Sequence, residues 1–106
     1  MLAHDKNNLT QRQITREIET AQERLAALEW ERREVNELSR DRENLLMLAD
    51  EAAKRTKNEQ TIRKRAAARS ALLALDRRAR NIAEQCRKLQ EEIAELNAEL
   101  MSYMEW

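Results

Sequence analysis

The chain has 106 residues, 38% of them charged and 3% aromatic, with no Gly, no Pro, no Phe and a formal net charge of zero. Without Gly or Pro the tight turns of β-hairpins lose their usual chemistry, so the composition excludes a sheet fold and points to long helices or coiled coil. The zero total hides a sorting: residues 1–53 carry 8 basic and 12 acidic side chains, residues 54–80 carry 10 and 2, and residues 81–106 carry 2 and 6, which sets a strongly basic middle between two acidic arms.

Residues 1–8 are polar and aperiodic, and are expected to be disordered; residues 9–106 read as one domain. Helix 1 is expected over about residues 10–55. Thr10 suits the N-cap, Gln13 the third helical position of a capping box, and Leu9 and Ile14 the two halves of a hydrophobic staple. The spacing Leu9-Thr10-x-x-Gln13 also resembles the short motif of the periplasmic Spy/CpxP chaperones, which show it twice where this chain shows it once. Capping accounts for the same residues. Helix 1 then carries Ile14, Ile18, Ala21, Leu25, Leu28, Val35, Leu38, Leu45, Ala49 and Ala52. From Leu28 through Val35 to Leu38 the phase slips by one, which predicts a stammer that overwinds a coiled coil locally. Arg32 and Arg42 fall on or beside the seam, where their stems can lie on apolar neighbours.

Residues 53–61 break the pattern. Thr56 and Glu59 have capping-box spacing and Asn58 tolerates the left-handed conformation, so the chain is expected to reverse at about 56–60. The alternative is one uninterrupted helix of about 140 Å. The hairpin is favoured because the two seams differ in phase and the two arms match in length. It sets Leu45 opposite Leu72, Leu38 opposite Ala79, Val35 opposite Ile82, and Arg42 beside Leu75 and Asp76.

Helix 2 is expected over about residues 61–104. Its apolar residues Leu72, Leu75, Ala79, Ile82, Cys86, Leu89, Ile93, Leu96, Leu100 and Tyr103 are spaced by alternating threes and fours, the a/d seam of a coiled coil. The fold expected is therefore all-α, a long two-helix antiparallel coiled-coil hairpin. Residues 45–48 and 71–75 are apolar over more than one stripe, which calls for more than one partner. A second hairpin would complete a four-helix bundle, with Leu46, Met47, Leu73 and Trp30 as its interface and Leu45 and Leu72 in the best-covered layer. Antiparallel packing would keep the two basic tips apart.

Seven cations surround the proposed turn: Lys54, Arg55, Lys57, Arg63, Lys64, Arg65 and Arg69. They suit phosphates or an acidic protein, or serve as a solvated tip. No aromatic residue is interleaved for stacking on bases. A hairpin dimer is similar in architecture to the Rop family of plasmid-encoded RNA-binding proteins, and in general form to bacterial secretion-system chaperones and export-ATPase stalk proteins. At the open end, Met101, Tyr103, Met104 and Trp106 would form an adaptable contact surface. Alternatively, Tyr103 closes the seam and the last residues fray.

The lone Cys86 lies on the seam and reads as a small hydrophobe. His4 is the only histidine, near a terminus. No nucleophile motif, phosphate loop or metal-ligand spacing occurs. The expectation is a non-enzymatic, cytoplasmic protein-interaction module with no catalytic residues, no cofactor, no metal, no small-molecule substrate and no membrane span. Its partners would be itself and another protein, and the alternative is nucleic acid at the basic tip.

Overall fold

A computed structural model describes the backbone of residues 2–104 and the side chains of residues 10–103. Two helices account for it: α1 is Leu2–Arg55 and α2 is Glu59–Met104. No strand occurs among the described residues. The helices contribute to two compact units. One pairs the α1 residues up to Glu29 with the α2 residues from Glu84, and the other is Trp30–Ala83.

The start of α1 differs from the expected cap. With no Gly or Pro among residues 2–9, nothing stops the helix at Thr10, and residues 2–8 are helical backbone where a disordered lead was expected. Thr10 and Gln13 therefore lie inside the helix. Its interior character shows at Thr15, whose hydroxyl donates to the Gln11 carbonyl at 2.8 Å, the back-bond of a helical Thr. The Leu9 half of the staple lies outside the described side chains.

In the first unit α1 buries Ile14, Ile18 and Ala21, and α2 buries Cys86 and Leu89. Leu25, Leu28, Ile93, Leu96, Leu100 and Tyr103 are half-buried. The Gln11 side-chain amide donates to the Tyr103 carbonyl at 3.5 Å, so the start of α1 lies beside the end of α2 and the pair is antiparallel. Each helix has one apolar stripe and a charged back, so burial against the other helix is the main source of cohesion.

The second unit is a helical hairpin in itself. Its antiparallel sense follows from two sets of cross-helix ion pairs. Glu31 meets Arg78 at 2.9 Å, and Asp50 lies 3.9 Å from Arg65 and 3.7 Å from Arg69. Val35 is 0% exposed and Ile82 3%. These, and not Leu45 and Leu72, mark the best-covered layer: Leu45 is 49% exposed and Leu72 only half-buried.

The α1 seam of this unit corrects the expected stammer. The covered residues are Val35, Ser39, Leu46, Ala49 and Ala53. The step after Val35 is four, to Ser39, and not three, to Leu38. Leu38, Leu45 and Ala52 are all exposed. On α2 the seam positions Thr61, Arg65, Ala68, Leu72, Leu75, Ala79 and Ile82, in alternating fours and threes, are all covered. Regular heptads on one helix pack against regular heptads on the other. Keeping phase costs α1 the burial of two leucines, and a serine takes a seam position instead.

The turn consists of Thr56, Lys57 and Asn58. Asn58, not Thr56, caps α2. Its side-chain oxygen accepts from the Thr61 N–H at 2.9 Å, and its own N–H donates to the Thr61 hydroxyl oxygen at 3.3 Å. This is the reciprocal geometry of a capping box with Thr in place of Glu at the third position. The Asn58 N–H also approaches the Thr56 carbonyl at 2.9 Å. No described non-Gly residue has positive φ, so the reversal is made without the left-handed Asn58 that the sequence suggested. The expected partner Glu59 instead pairs with Arg63 at 2.5 Å.

Candidate protein-interaction surface

Most of the large apolar side chains left exposed belong to the second unit: Trp30, Leu38, Leu45, Met47, Leu48, Ile62 and Leu73, against Met101 in the first. They do not form one patch. Positions on a helix are neighbours at three, four and seven residues, and that rule sorts them onto three faces.

Leu38, Leu45, Leu48 and Ala52 fall at steps of seven, three and four, one stripe along α1 beside its seam. Leu38 lines a groove of about 320 Å³ together with Arg42, Ala71, Ala74, Leu75 and Arg78. That groove shows which part of α2 shares the face. Ala67, Ala71 and Ala74 lie at steps of four and three, so the α2 side is a run of small residues. The Glu31–Arg78 pair sits on the same flank. The result is a leucine ridge on α1 running alongside an alanine trough on α2.

The opposite flank is charged. Asp50 lies there between Arg65 and Arg69, and one of its oxygens is out of contact with water and without a hydrogen-bond partner. The two guanidinium groups stand just beyond hydrogen-bonding distance, so charge and not a formed hydrogen bond holds that carboxylate. Met47, Ile62 and Leu73 fall on this side, separated by charged neighbours. Trp30 is on the back of α1, and its indole N–H donates to Glu34 at 3.0 Å. Leu46 is half-buried in the seam. The four residues read from sequence as one interface, Leu46, Met47, Leu73 and Trp30, are thus distributed over three sides. The continuous apolar face belongs to Leu38, Leu45 and Leu48. Its signal in the sequence is the second stripe of apolar residues beside the seam.

The cations of the tip fall into two groups. Arg63 pairs with Glu59, and Arg65 and Arg69 share Asp50. Lys54, Arg55, Lys57 and Lys64 are exposed and have no ion-pair partner among the described residues. Lys54 and Arg55 occupy the last turn of α1, where positive charge complements the carbonyl end of the helix dipole.

At the other end, Tyr103 is half-buried and Met101 exposed. The side chain of Met104 and all of Trp106 lie outside the described residues, as does the side chain of His4. Cys86 is a buried free thiol. On the back of α2, Arg87 is held between Glu84, at 2.5 Å, and Glu91. The hydrogen bond from Arg87 keeps the Glu84 carboxyl below its usual range, and Glu84 in turn raises Arg87. Both are exposed, a solvated helix-surface network and not a buried pair.

Among the described residues no group of three or more His, Cys, Asp or Glu side chains converges as a metal site would require, and no helix is long and apolar enough to cross a membrane. No family model, no curated protein and no solved structure matches this chain.

Proposed function

We propose that this chain is a non-enzymatic helical-hairpin module for protein–protein interaction, of the adaptor, scaffold or chaperone-like kind, acting in the cytoplasm. It associates with itself to complete a four-helix bundle and offers remaining surface to another protein. No cofactor, metal or small-molecule substrate enters this reading. The observation that carries it is the grouping of Leu38, Leu45 and Leu48 on one face of the hairpin, 44%, 49% and 62% exposed. Scattered exposed leucines are ordinary. A ridge of them beside a trough of alanines is a docking surface, because covering it recovers about 25 cal/mol per Å² of apolar area.

Sedimentation equilibrium tests the reading. The wild-type chain is expected to associate at micromolar concentration. Leu45→Glu with Leu48→Glu is expected to remain helical by circular dichroism, since both sites are exposed, yet to lose association. Equal association of the two proteins would overturn the use of this face.

A second reading rests on the exposed Lys54, Arg55, Lys57 and Lys64 at the turn. Four cations on one tip can release counterions from a phosphate backbone. A salt titration of binding to duplex RNA separates the two. Binding that falls steeply with salt and survives the leucine substitutions favours nucleic acid, and absence of binding at low salt removes it.

A further inference from the structure

We infer that the occupant of the leucine–alanine face is a second copy of this chain packed with its turn at the same end, so that the leucine ridge of each copy lies in the alanine trough of the other. This rests on the interaction-module reading and adds the partner's orientation. Two ways of laying the face on itself are compatible with two-fold symmetry. If the axis runs along the helices, α1 of one copy covers α2 of the next and both turns share an end. If the axis crosses the helices, α1 covers α1, α2 covers α2, and the turns point apart.

Two properties of the face choose between them. The first is shape. Leu38 shares its groove with Ala71 and Ala74 of the same chain, so ridge and trough run side by side at matching heights. The along-helix axis sets large against small on both sides of the interface. The crossing axis sets large on large and small on small, which leaves α1 strained or α2 unfilled, and close packing disfavours both.

The second is charge. Up to Ala52 the charged residues in line with the leucines on α1 are acidic: Glu31, Glu34 and Asp41. Those in line with the alanines on α2 are basic: Lys64 and Arg78. Arg78 already binds Glu31 across the hairpin at 2.9 Å, which fixes its height. The along-helix axis brings Glu34 of the second copy to that height, acid against base, and sets Asp41 against the alanines. The crossing axis centred on the same face brings Lys64 of one copy near Arg78 of the other, base against base, and sets Asp41 against the leucines. Like-charged turns argued from sequence for the antiparallel dimer. That repulsion acts between solvated groups, is screened over about 10 Å at moderate salt, and is reduced where Asp50 and Glu59 hold Arg65, Arg69 and Arg63.

The test is a distance measured by pulsed electron paramagnetic resonance. The full-length chain carries Cys86→Ala and a nitroxide on Lys57→Cys at the turn. Turns at one end give a label separation of about 20 Å. The crossing axis centred on the same face gives about 40 Å, from twice the helical rise between the patch centre and the turn. The expected result is the short distance, lost on adding Leu45→Glu and, independently, Ala71→Glu. A long distance that is lost with the same substitutions overturns the orientation and leaves the interaction-module reading standing. A short distance unaffected by either substitution, or absence of coupling at all concentrations, overturns the inference together with the use of this face.

Discussion

Asn58 and Thr61 close the first turn of α2 on each other: the Asn58 side chain accepts from the Thr61 N–H at 2.9 Å, and the Asn58 N–H reaches the Thr61 hydroxyl at 3.3 Å. The same hydroxyl donates to the Thr56 carbonyl at 2.6 Å, which ties the start of α2 to the residue following α1. A helix that must start without Gly or Pro depends on such a cap. Asn58→Ala should cost about 1 kcal/mol, and Asn58→Gly only a few tenths, because Gly remains a tolerated cap. Thermal melts should rank the three proteins wild type, Gly, Ala in falling stability. Equal melting of Ala and wild type would show that the reversal does not depend on this cap.

The hairpin is held at the layer of Val35 and Ile82, the residues of the second unit most completely removed from water on α1 and α2. Ile82→Ala is expected to destabilise by about 2–5 kcal/mol, the range for emptying a closed core site. Leu48→Ala, at an exposed position, should leave a dilute sample within about 0.5 kcal/mol of wild type. Leu48→Ala should matter only as protein concentration rises, because its burial awaits a partner. Denaturant melts at two concentrations separate these effects.

Glu31 and Arg78 form an exposed cross-helix pair, with side chains 40% and 52% accessible. Pairs of that kind contribute about 0.2–1 kcal/mol. A double-mutant cycle with Glu31→Gln and Arg78→Gln should return a coupling in that range that shrinks with added salt. A coupling unchanged by salt would mean that the pair is more enclosed than its accessibility indicates.

Acid should weaken the first unit through Glu84. Its carboxyl is held below the ordinary 4.5 by the hydrogen bond from Arg87, so the unfolded chain takes up a proton at Glu84 before the folded one. The contribution is complete above about pH 5 and is lost as the pH falls through the lowered folded value. Arg87 is raised, so its share persists at every pH below its own titration. Following the Glu84 carboxyl by NMR should give a midpoint below 4.5, and Arg87→Gln should return it toward the ordinary value.

The helical class and the α2 seam were open to view in the sequence, and the α1 seam was not. The ten apolar seam residues on α2 from Leu72 to Tyr103 are all buried or half-buried, because that helix keeps an apolar residue at every a and d position of its seam. On α1 two stripes compete after Val35. One contains Leu38, Leu45 and Ala52. The other contains Ser39, Arg42, Leu46 and Ala53. Counting apolar residues selects the first, and the structure covers Ser39, Leu46 and Ala53 of the second. Phase decides, since Ile14, Ile18, Ala21, Leu25, Leu28, Arg32, Val35, Ser39, Arg42, Leu46, Ala49 and Ala53 keep an unbroken alternation once polar residues are admitted. The exposed leucine face follows directly from that choice. The basic tip was visible as composition, but the hold of Asp50 on Arg65 and Arg69 depends on helix register and could not be read from a single strand of sequence.

Ser39 provides the sharpest test of this seam. It occupies a half-buried heptad position between Val35 and Arg42, where coiled coils place large apolar side chains. The next seam residue, Arg42, is exposed and borders the groove shared with Ala71, Ala74 and Leu75, so the seam holds no large apolar side chain between Val35 and Leu46. Ser39→Leu should therefore stabilise the hairpin by about 0.5–2 kcal/mol, the usual yield of filling an undersized core site. At about 4–8 °C per kcal/mol for a domain near this size, the melting temperature should rise by several degrees. Glu37→Leu, on the charged back of the same helix, is the control: it adds the same side chain outside the seam and should leave a dilute sample unchanged. If the seam instead ran through Leu38 and Leu45, Ser39→Leu would gain nothing over that control, and Leu38→Ala would carry the large loss found at Ile82.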